Sequence, residues 1–437
     1  MGKGFTMNIS FVSRSNTGNR ASTGKNMAAE TAKPTMQTLR LGIDVPLLLI
    51  VACLLAFGLL MVFSAGMRPS ILATGKPYHF FVNQIKWAIL GLAVATTIMY
   101  LDYHLLRRFL LPMIGGTLLL LVLVLLFGDL RLGARRSFFN GSVQPSELAK
   151  IAILIYLAFW IKSKEDQLNK ITFGLLPLLG ILGIIAGLIM AQPDISAAAT
   201  IIVLGVMMFF FANGNLKQLT MVAGITLLVG LLIVGLNSSL SATAAQRIED
   251  FIRGLINPVA ASDHIQRSVD SIVRGGFFGV GIGLGEVKNT GLPVAHTDSI
   301  FAVIAEETGL LGCILTILLY IGLMWRGLTI ASRAADLEGK LLAGGLTFWI
   351  VMEAIINMGV MVNLIPFAGN ALPLISAGGS SLVTTLAALG LIMSVARYST
   401  RQPQTTEGRA YSAVTDLRWR DSRRRQSRAR RGTSGGR

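Results

Sequence analysis

Ten apolar blocks constrain this chain more than any other feature of its sequence. Most are roughly 17–25 residues long, the length that a helix needs to cross a hydrocarbon core of about 30 Å. Because a bilayer offers no water to backbone amides, such blocks cross it as helices or closed barrels. We therefore predict an all-α polytopic membrane protein with about ten transmembrane helices, at residues 45–64, 81–100, 109–127, 147–161, 171–190, 196–212, 218–236, 300–324, 342–363 and 380–397.

Composition agrees with a membrane location and divides the chain into three parts. Apolar residues make up 53% of the sequence and the mean hydropathy is +0.64, which excludes an ordinary soluble globule. We predict a polar, disordered N-terminal tail (1–44), a membrane domain (45–397) and a disordered Arg-rich tail (398–437). No cleavable signal peptide is visible, so we expect the first apolar block to act as an uncleaved anchor.

The distribution of positive charge predicts the orientation. The net charge is +17, and Lys and Arg concentrate in both tails and in alternate short loops, which places both termini in the cytoplasm. Residues 401–437 carry eleven Arg, which suit anionic lipid better than nucleic acid. Arg131, Arg135 and Arg136 lie on the opposite, outer side. They indicate either an anionic ligand such as a pyrophosphate or simple headgroup contacts, with equal weight.

The long outer loop, 237–299, is large enough to hold a site of its own. Its glycine-rich run, 275–285, is apolar but too short to span a bilayer. We expect an interfacial or re-entrant segment there, packed over the bundle through close backbone contacts. The glycines do not indicate a dinucleotide site, because no βαβ pattern surrounds them.

Asp298 is the strongest candidate for a reactive group. It closes the outer loop, at the mouth of an apolar helix that begins near Ile300. A charge at a membrane boundary is costly unless it is paired or used. His296 lies two residues earlier and could share a hydrogen bond with Asp298, although a structural role for it is equally plausible.

Five further segments place polar groups at helix ends or inside apolar blocks. Glu147 and Lys150 are three apart, so they form either an internal ion pair or a pair in which Lys150 holds phosphate. In the other segments, a turn, capping or structural role is as plausible as ligand binding. One of the two adjacent glutamates, Glu306 or Glu307, is expected to face a cavity. These segments contain Gln192-Pro193-Asp194, Glu306-Glu307, Glu353, and the serines Ser376, Ser380 and Ser381.

In combination, these segments resemble the SEDS family (shape, elongation, division and sporulation), typified by FtsW and RodA. The resemblance covers residues 45–397 in order and spacing. The matching pieces are 133–136, 144–150, 192–194, 247–251, 275–283, 296–301 with 306–309, and 373–381.

The resemblance implies a ten-span peptidoglycan glycosyltransferase of the bacterial cytoplasmic membrane. It implies that lipid II is polymerised at the outer face, beside a class B penicillin-binding protein and other division proteins. A sugar 4-hydroxyl would attack the anomeric carbon with inversion, and Asp298 would be the general base. The implied substrate-binding residues are Arg135, Arg136, Gln144, Glu147, Lys150, Gln192, Asp194, Arg247, His296, Thr297, Glu306, Ser376 and Ser380.

Four positions depart from the family pattern: Ser137, Val294, Ser299 and Ala377. The family usually has an acid where this chain has Val294, so Asp298 has a less negative neighbourhood here. This weakens the expectation of a divalent cation, Mg²⁺ or Mn²⁺, for which no metal-ligand spacing is seen. The long polar tails favour the division type, FtsW, over the elongation type, RodA. A flippase for lipid-linked precursors and a catalytically silent scaffold are the alternatives.

Overall fold

The structure is a computed structural model of the 437-residue chain. It describes residues 42–131, 134–138, 141–168, 170, 172, 174, 176–212, 216–236, 238–257, 263–288, 292 and 294–401. The predicted tails, 1–44 and 398–437, lie almost entirely outside these residues.

The described residues form twelve α-helices and one β-hairpin. The helices are α1 (Val45–Thr74), α2 (His79–Tyr100), α3 (Leu106–Phe127), α4 (Pro145–Ser163), α5 (Leu176–Met190), α6 (Ile195–Phe211), α7 (Leu216–Leu236), α8 (Ser238–Ile256), α9 (Asp263–Gly275), α10 (Ile300–Ser332), α11 (Leu337–Met361) and α12 (Gly379–Arg401). The hairpin pairs β1 (Asp129–Arg131) with β2 (Ala134–Ser137) in antiparallel register.

Each predicted span falls on one of these helices, which confirms the predicted fold class. Among the described residues, α1, α2, α3, α10, α11 and α12 are long and apolar enough to cross a membrane, whereas α5, α6 and part of α7 are shorter apolar helices. The bounds differ most in α1 and α10, which continue to Thr74 and Ser332. The hairpin was not predicted, because its strands are only three and four residues long.

The helices differ in how deeply they lie in the bundle. Within their most apolar windows, 78% of α11 and 72% of α12 are buried, against 17% of α2 and α3. The inner helices therefore provide the core, with Trp349 fully enclosed, and the outer ones present leucines and valines outward. An apolar exterior of this kind suits lipid as solvent.

The loop predicted at 237–299 contains α8, α9 and the glycine-rich run, and this run packs against a break in α10. The break is at Gly309, whose φ is 67° and ψ is −164°. The amides of Val280 and Gly281 donate to the carbonyls of Glu306 and Glu307, each across 3.0 Å. The run thus supplies partners that the broken helix lacks, as membrane-embedded backbone requires.

The same segment shows why glycines recur there. A Cβ at Gly275 would overlap the carbonyl oxygen of Ala305, and one at Gly279 would overlap that of Glu307. Gly279 and Gly281 also have positive φ, a conformation that L side chains rarely adopt. The predicted close backbone packing of this glycine-rich run is therefore confirmed.

Candidate active site

A cavity of roughly 1050 Å³ lies among α4, α6, α8, α11 and the loops that precede α10 and α12. It gathers side chains from segments that are far apart in the sequence. The predicted site residues that line it are Arg136, Gln144, Glu147, Lys150, Asp194, Arg247, Thr297, Asp298 and Ser380.

The backbone that carries Asp298 is held at three successive carbonyls. The carbonyl of His296 accepts from the amide of Ala377 (2.9 Å), and that of Thr297 accepts from Oγ of Ser376 (2.6 Å). The carbonyl of Asp298 accepts from Nδ2 of Asn357, across 2.8 Å. Two other parts of the chain therefore fix the position of this loop, which preorganises the carboxylate.

Asp298 lies outside the membrane-spanning helices, at the wall of the cavity. Burial raises the pKa of its carboxyl to about 6, and the charge of Asp194 adds to this, whereas Arg136 and a hydrogen bond from Thr297 lower it. A general base is most effective when its pKa lies near the working pH. Asp298 can therefore take up a proton near neutrality.

Two guanidinium groups face the same cavity. Arg136 lies on β2 and interacts electrostatically with Asp298 and with Arg247 of α8. Arg247 lies over the ring of Phe367 (5.8 Å) and donates to Oγ of Ser196 (3.4 Å). A planar guanidinium group can donate two parallel hydrogen bonds to a pair of phosphate oxygens. A diphosphate between them would be close to Asp298.

Asp194 shows that a capping role and a cavity position are compatible. Its Oδ1 accepts from the amide of Ala197 and caps α6 (3.1 Å), as expected of a turn aspartate. Its Oδ2 accepts from Nε2 of Gln144, also across 3.1 Å. This contact ties the start of α4 to the start of α6 at the cavity edge.

Lys150 forms a buried triad with two carboxylates. Its Nζ donates to Glu147 across 2.7 Å, which confirms the predicted ion pair, and also donates to Glu353 of α11. Glu353 is therefore a buried acid whose charge is balanced by Lys150. Because two acids share one ammonium group, Lys150 is less suited to holding phosphate than Arg136 and Arg247 are.

Three of the predicted substrate-binding side chains do not line the cavity. Arg135 is exposed and donates to the carbonyl of Leu126 (3.1 Å). Gln192 is buried and donates to the carbonyl of Leu121 (3.1 Å). Oγ of Ser376 donates to the carbonyl of Thr297 and accepts from the amide of Leu372, so this side chain holds the Asp298 loop in place.

Glu306 and Glu307 do not line this cavity either, although one of them was expected to face a cavity. Glu306 accepts from the backbone amides of Glu286 (2.7 Å) and Val287 (3.1 Å). Glu307 accepts from Ser64 and forms an ion pair with Lys288. Both carboxylates are buried against the glycine-rich run and the residues that follow it, so they stabilise that segment.

His296 has a structural role and does not line the cavity. Its ring stacks on Phe80 with centroids 4.5 Å apart. Burial lowers the pKa of His296 to about 4, so its imidazole is neutral at physiological pH. A neutral ring engaged with Phe80 cannot balance a phosphate charge, and the suggested hydrogen bond to Asp298 is not formed.

Asn357 is the important residue that the sequence analysis missed. Its Nδ2 donates to the carbonyl of Asn370 (2.6 Å) as well as to that of Asp298. It follows Glu353 by four residues, so both polar groups lie on one face of α11. Two polar residues four positions apart in an apolar helix could have indicated, from the sequence alone, that this face of α11 meets other polar groups.

In the part of the chain that the structure describes, no three His, Cys, Asp or Glu side chains are arranged to hold a metal ion. The possible Mg²⁺ or Mn²⁺ ion therefore stays a prediction.

Comparison with known proteins gives consistent results. A family model, FTSW_RODA_SPOVE, described as "Cell cycle protein", matches residues 45–401. The "Probable peptidoglycan glycosyltransferase FtsW" of Trichlorobacter lovleyi is 37% identical over 362 residues, covering 80% of this chain and 92% of that protein. The "Stage V sporulation protein E" of Bacillus subtilis is 34% identical over 369 residues, covering 83% and 100%.

Solved structures show the same similarity. A chain described under "Structural coordination of polymerization and crosslinking by a peptidoglycan synthase complex" aligns with a TM-score of 0.66 and 27% identity, covering 82% of this chain and 99% of that one. The Rod shape determining protein RodA of Thermus thermophilus aligns with a TM-score of 0.60 and 27% identity, covering 82% and 98%.

Proposed function

The chain belongs to the FtsW/RodA/SpoVE family and is a multi-pass membrane peptidoglycan glycosyltransferase, and on that premise we propose that it polymerises glycan strands from lipid II. The observation that carries the proposal is one cavity that holds both a carboxylate with a raised pKa and two guanidinium groups. Asp298 is the base and Arg136 and Arg247 receive the diphosphate.

The proposed reaction is a single displacement. Asp298 takes the proton of the acceptor sugar 4-hydroxyl while that oxygen bonds to the anomeric carbon of the donor. The bond from this carbon to the diphosphate oxygen breaks, and the polyprenyl diphosphate leaves with its electron pair. One displacement inverts the anomeric centre, and no carboxylate nucleophile is needed. Arg136 and Arg247 offset the charge that develops on the leaving group.

The other polar residues of the cavity position the substrate. Gln144, Thr297 and Ser380 offer an amide and hydroxyl groups to sugar oxygens, and the Glu147–Lys150 pair offers a charged surface below them. Such groups orient a sugar more than they activate it.

The same proposal includes a location and a partner. The positive charge of the tails and alternate loops favours cytoplasmic termini, with the Asp298 loop on the outer face. One solved relative is described as part of a complex that polymerises and crosslinks. We extend this to a class B penicillin-binding protein here. Several relatives named FtsW favour septal synthesis in division, and the similarity to RodA keeps elongation as the alternative.

The test uses purified full-length protein with labelled lipid II, with and without its cognate penicillin-binding protein, and resolves the glycan products on a gel. We expect strands from the natural protein and none from Asp298→Asn. The matched control is Asp270→Asn, which removes an exposed acid paired with Arg274. Detergent abolishes the sidedness that transport needs, so strand formation there also separates a polymerase from a flippase. An Asp298→Asn protein that polymerises at the natural rate would contradict the assignment.

A further inference from the structure

A second cavity, of roughly 490 Å³, lies beside α2. We call it the lateral groove, and it is lined by Asn83, Lys86, Trp87, Leu90, Ser142 and Val143. The four residues from α2 have the spacing of one helix face. The groove therefore lies between that face and the segment that leads into α4.

The lateral groove and the main cavity share a thin wall. Ser142 and Val143 face the groove, whereas Gly141 and Gln144 line the main cavity. The carbonyl of Ser142 accepts from the amide of Ser380, across 2.9 Å, which joins the wall to the start of α12. The ring of Trp87 packs on Gly379 from the groove side, where a Cβ would lie 2.7 Å from the ring.

The groove presents a cation within a membrane-spanning helix. Lys86 is exposed, seven residues after α2 begins at His79, which is about 10 Å along the helix axis. Neither Lys86 nor Asn83 forms an ion pair or hydrogen bond with any other residue in the described ranges. An ammonium group at such a depth is costly unless it reaches the interface or meets an anion. Phosphate is the anion that lipids provide there.

We propose that the lateral groove binds the diphosphate of the second lipid-linked substrate, the one whose sugar hydroxyl is the acceptor. This inference rests on the proposed function. Polymerisation joins two lipid-linked substrates, yet only the donor loses its diphosphate. The acceptor keeps its own, one disaccharide away from the hydroxyl that Asp298 deprotonates. Arg136 and Arg247 bind the leaving diphosphate in the main cavity. Lys86 binds the retained diphosphate on the other side of the shared wall.

The side chains around Lys86 suit this ligand. Asn83 can donate its amide to a phosphate oxygen. Trp87 and Leu90 offer apolar contact to the first units of a polyprenyl chain, and Trp is favoured where one end of a side chain is apolar and the other meets water. The groove therefore offers a cation and an amide to a phosphate headgroup, and apolar contacts to an attached hydrocarbon chain.

The first test counts bound lipids. Full-length Asp298→Asn protein, which should not turn over, is mixed with lipid II in detergent and examined by native mass spectrometry. We expect two lipid II molecules per chain, and one when Lys86→Met is added. Lys76→Met, which removes an exposed cation from the loop before α2, is the matched control and should keep two. Equal counts for the two lysine variants would overturn the proposal, as would displacement of one lipid II by equimolar phosphatidylglycerol.

The second test is kinetic and uses otherwise natural protein. Lys86→Met should raise the lipid II concentration for half-maximal rate on the order of tenfold, with the maximal rate retained, because a charge-assisted contact to an unreacted group is lost. Lys86→Arg should restore it. An unchanged KM in Lys86→Met would contradict the groove assignment while leaving the polymerase intact. If the natural protein makes no strands at all, the proposed function fails instead, and the lipid count still reports on the groove.

Discussion

Nδ2 of Asn357 donates to the backbone carbonyl of Asp298 across 2.8 Å, so a residue near the C-terminal end of α11 holds the loop that carries the candidate base. Its second contact, to the carbonyl of Asn370, joins that loop to the segment before α12. The carboxylate thus depends on a buried amide that is 59 residues away in the sequence.

Replacing this amide should impair catalysis more than folding. Asn357→Asp keeps the size of the side chain but removes the Nδ2 donor, so the carbonyls of Asp298 and Asn370 lose their hydrogen bonds. Leaving such buried groups unpaired costs about 1–3 kcal/mol of free energy. We expect the polymerisation rate to fall on the order of tenfold or more. Ser394→Ala, which removes a hydrogen bond of 2.6 Å to the carbonyl of Leu101, is the control and should keep its rate. Equal rates in the two variants, at equal thermal stability in detergent, would show that Asn357 does not position the base.

The rate should depend on pH through Asp298. Because its pKa is raised to about 6, the carboxyl is protonated below that pH and cannot accept the proton of the hydroxyl. The rate should therefore rise with pH, with a midpoint near 6, and level off above it. Glycan synthesis measured across this range checks the expectation. A flat profile through pH 6, under conditions where chemistry limits the rate, would remove Asp298 from the role of base.

Adjacent arginines offer a sharp test of the diphosphate assignment. Arg136 lines the cavity, whereas Arg135 is exposed and binds a backbone carbonyl. Arg136→Ala should lower polymerisation on the order of a hundredfold, since a charged group that stabilises a transition state is worth several kcal/mol. Arg135→Ala should stay within about twofold of the natural rate. The opposite order of the two losses would mean that the hairpin presents its other face to the substrate.

The break in α10 should be intolerant of side chains. Gly309 has a φ of 67°, and a Cβ there would overlap the backbone of Gly279 and Phe277. Gly309→Ala should destabilise the protein by about 1–3 kcal/mol through strain and overlap. Gly322→Ala on the same helix is the control, because its Cβ would meet only a flexible Ile50 methyl at 3.3 Å. Thermal unfolding in detergent compares them, and equal melting temperatures would contradict the packed re-entrant segment.

Much of the architecture could be predicted because its causes are local. Apolar length predicts which segments cross a bilayer, so the helices from α1 to α7 and from α10 to α12 were found. Helical spacing predicts the Glu147–Lys150 pair, three residues apart. Asp298 could be identified as a candidate because a carboxylate at a membrane boundary is costly unless it is paired or takes part in binding or catalysis.

Tertiary packing decided the rest, because buried charges and backbone groups take whichever partners the fold brings near. Lys150 meets Glu353 across 203 positions in the sequence, and Ser64 meets Glu307 across 243. Arg135 and Arg136 are neighbours on β2, so their side chains point to opposite faces of the hairpin. The packing of the hairpin decides that the Arg136 face meets the cavity. Hydropathy and helical period determine which segments enter the membrane. The choice of partner for each polar group depends on contacts between helices, which no local pattern encodes.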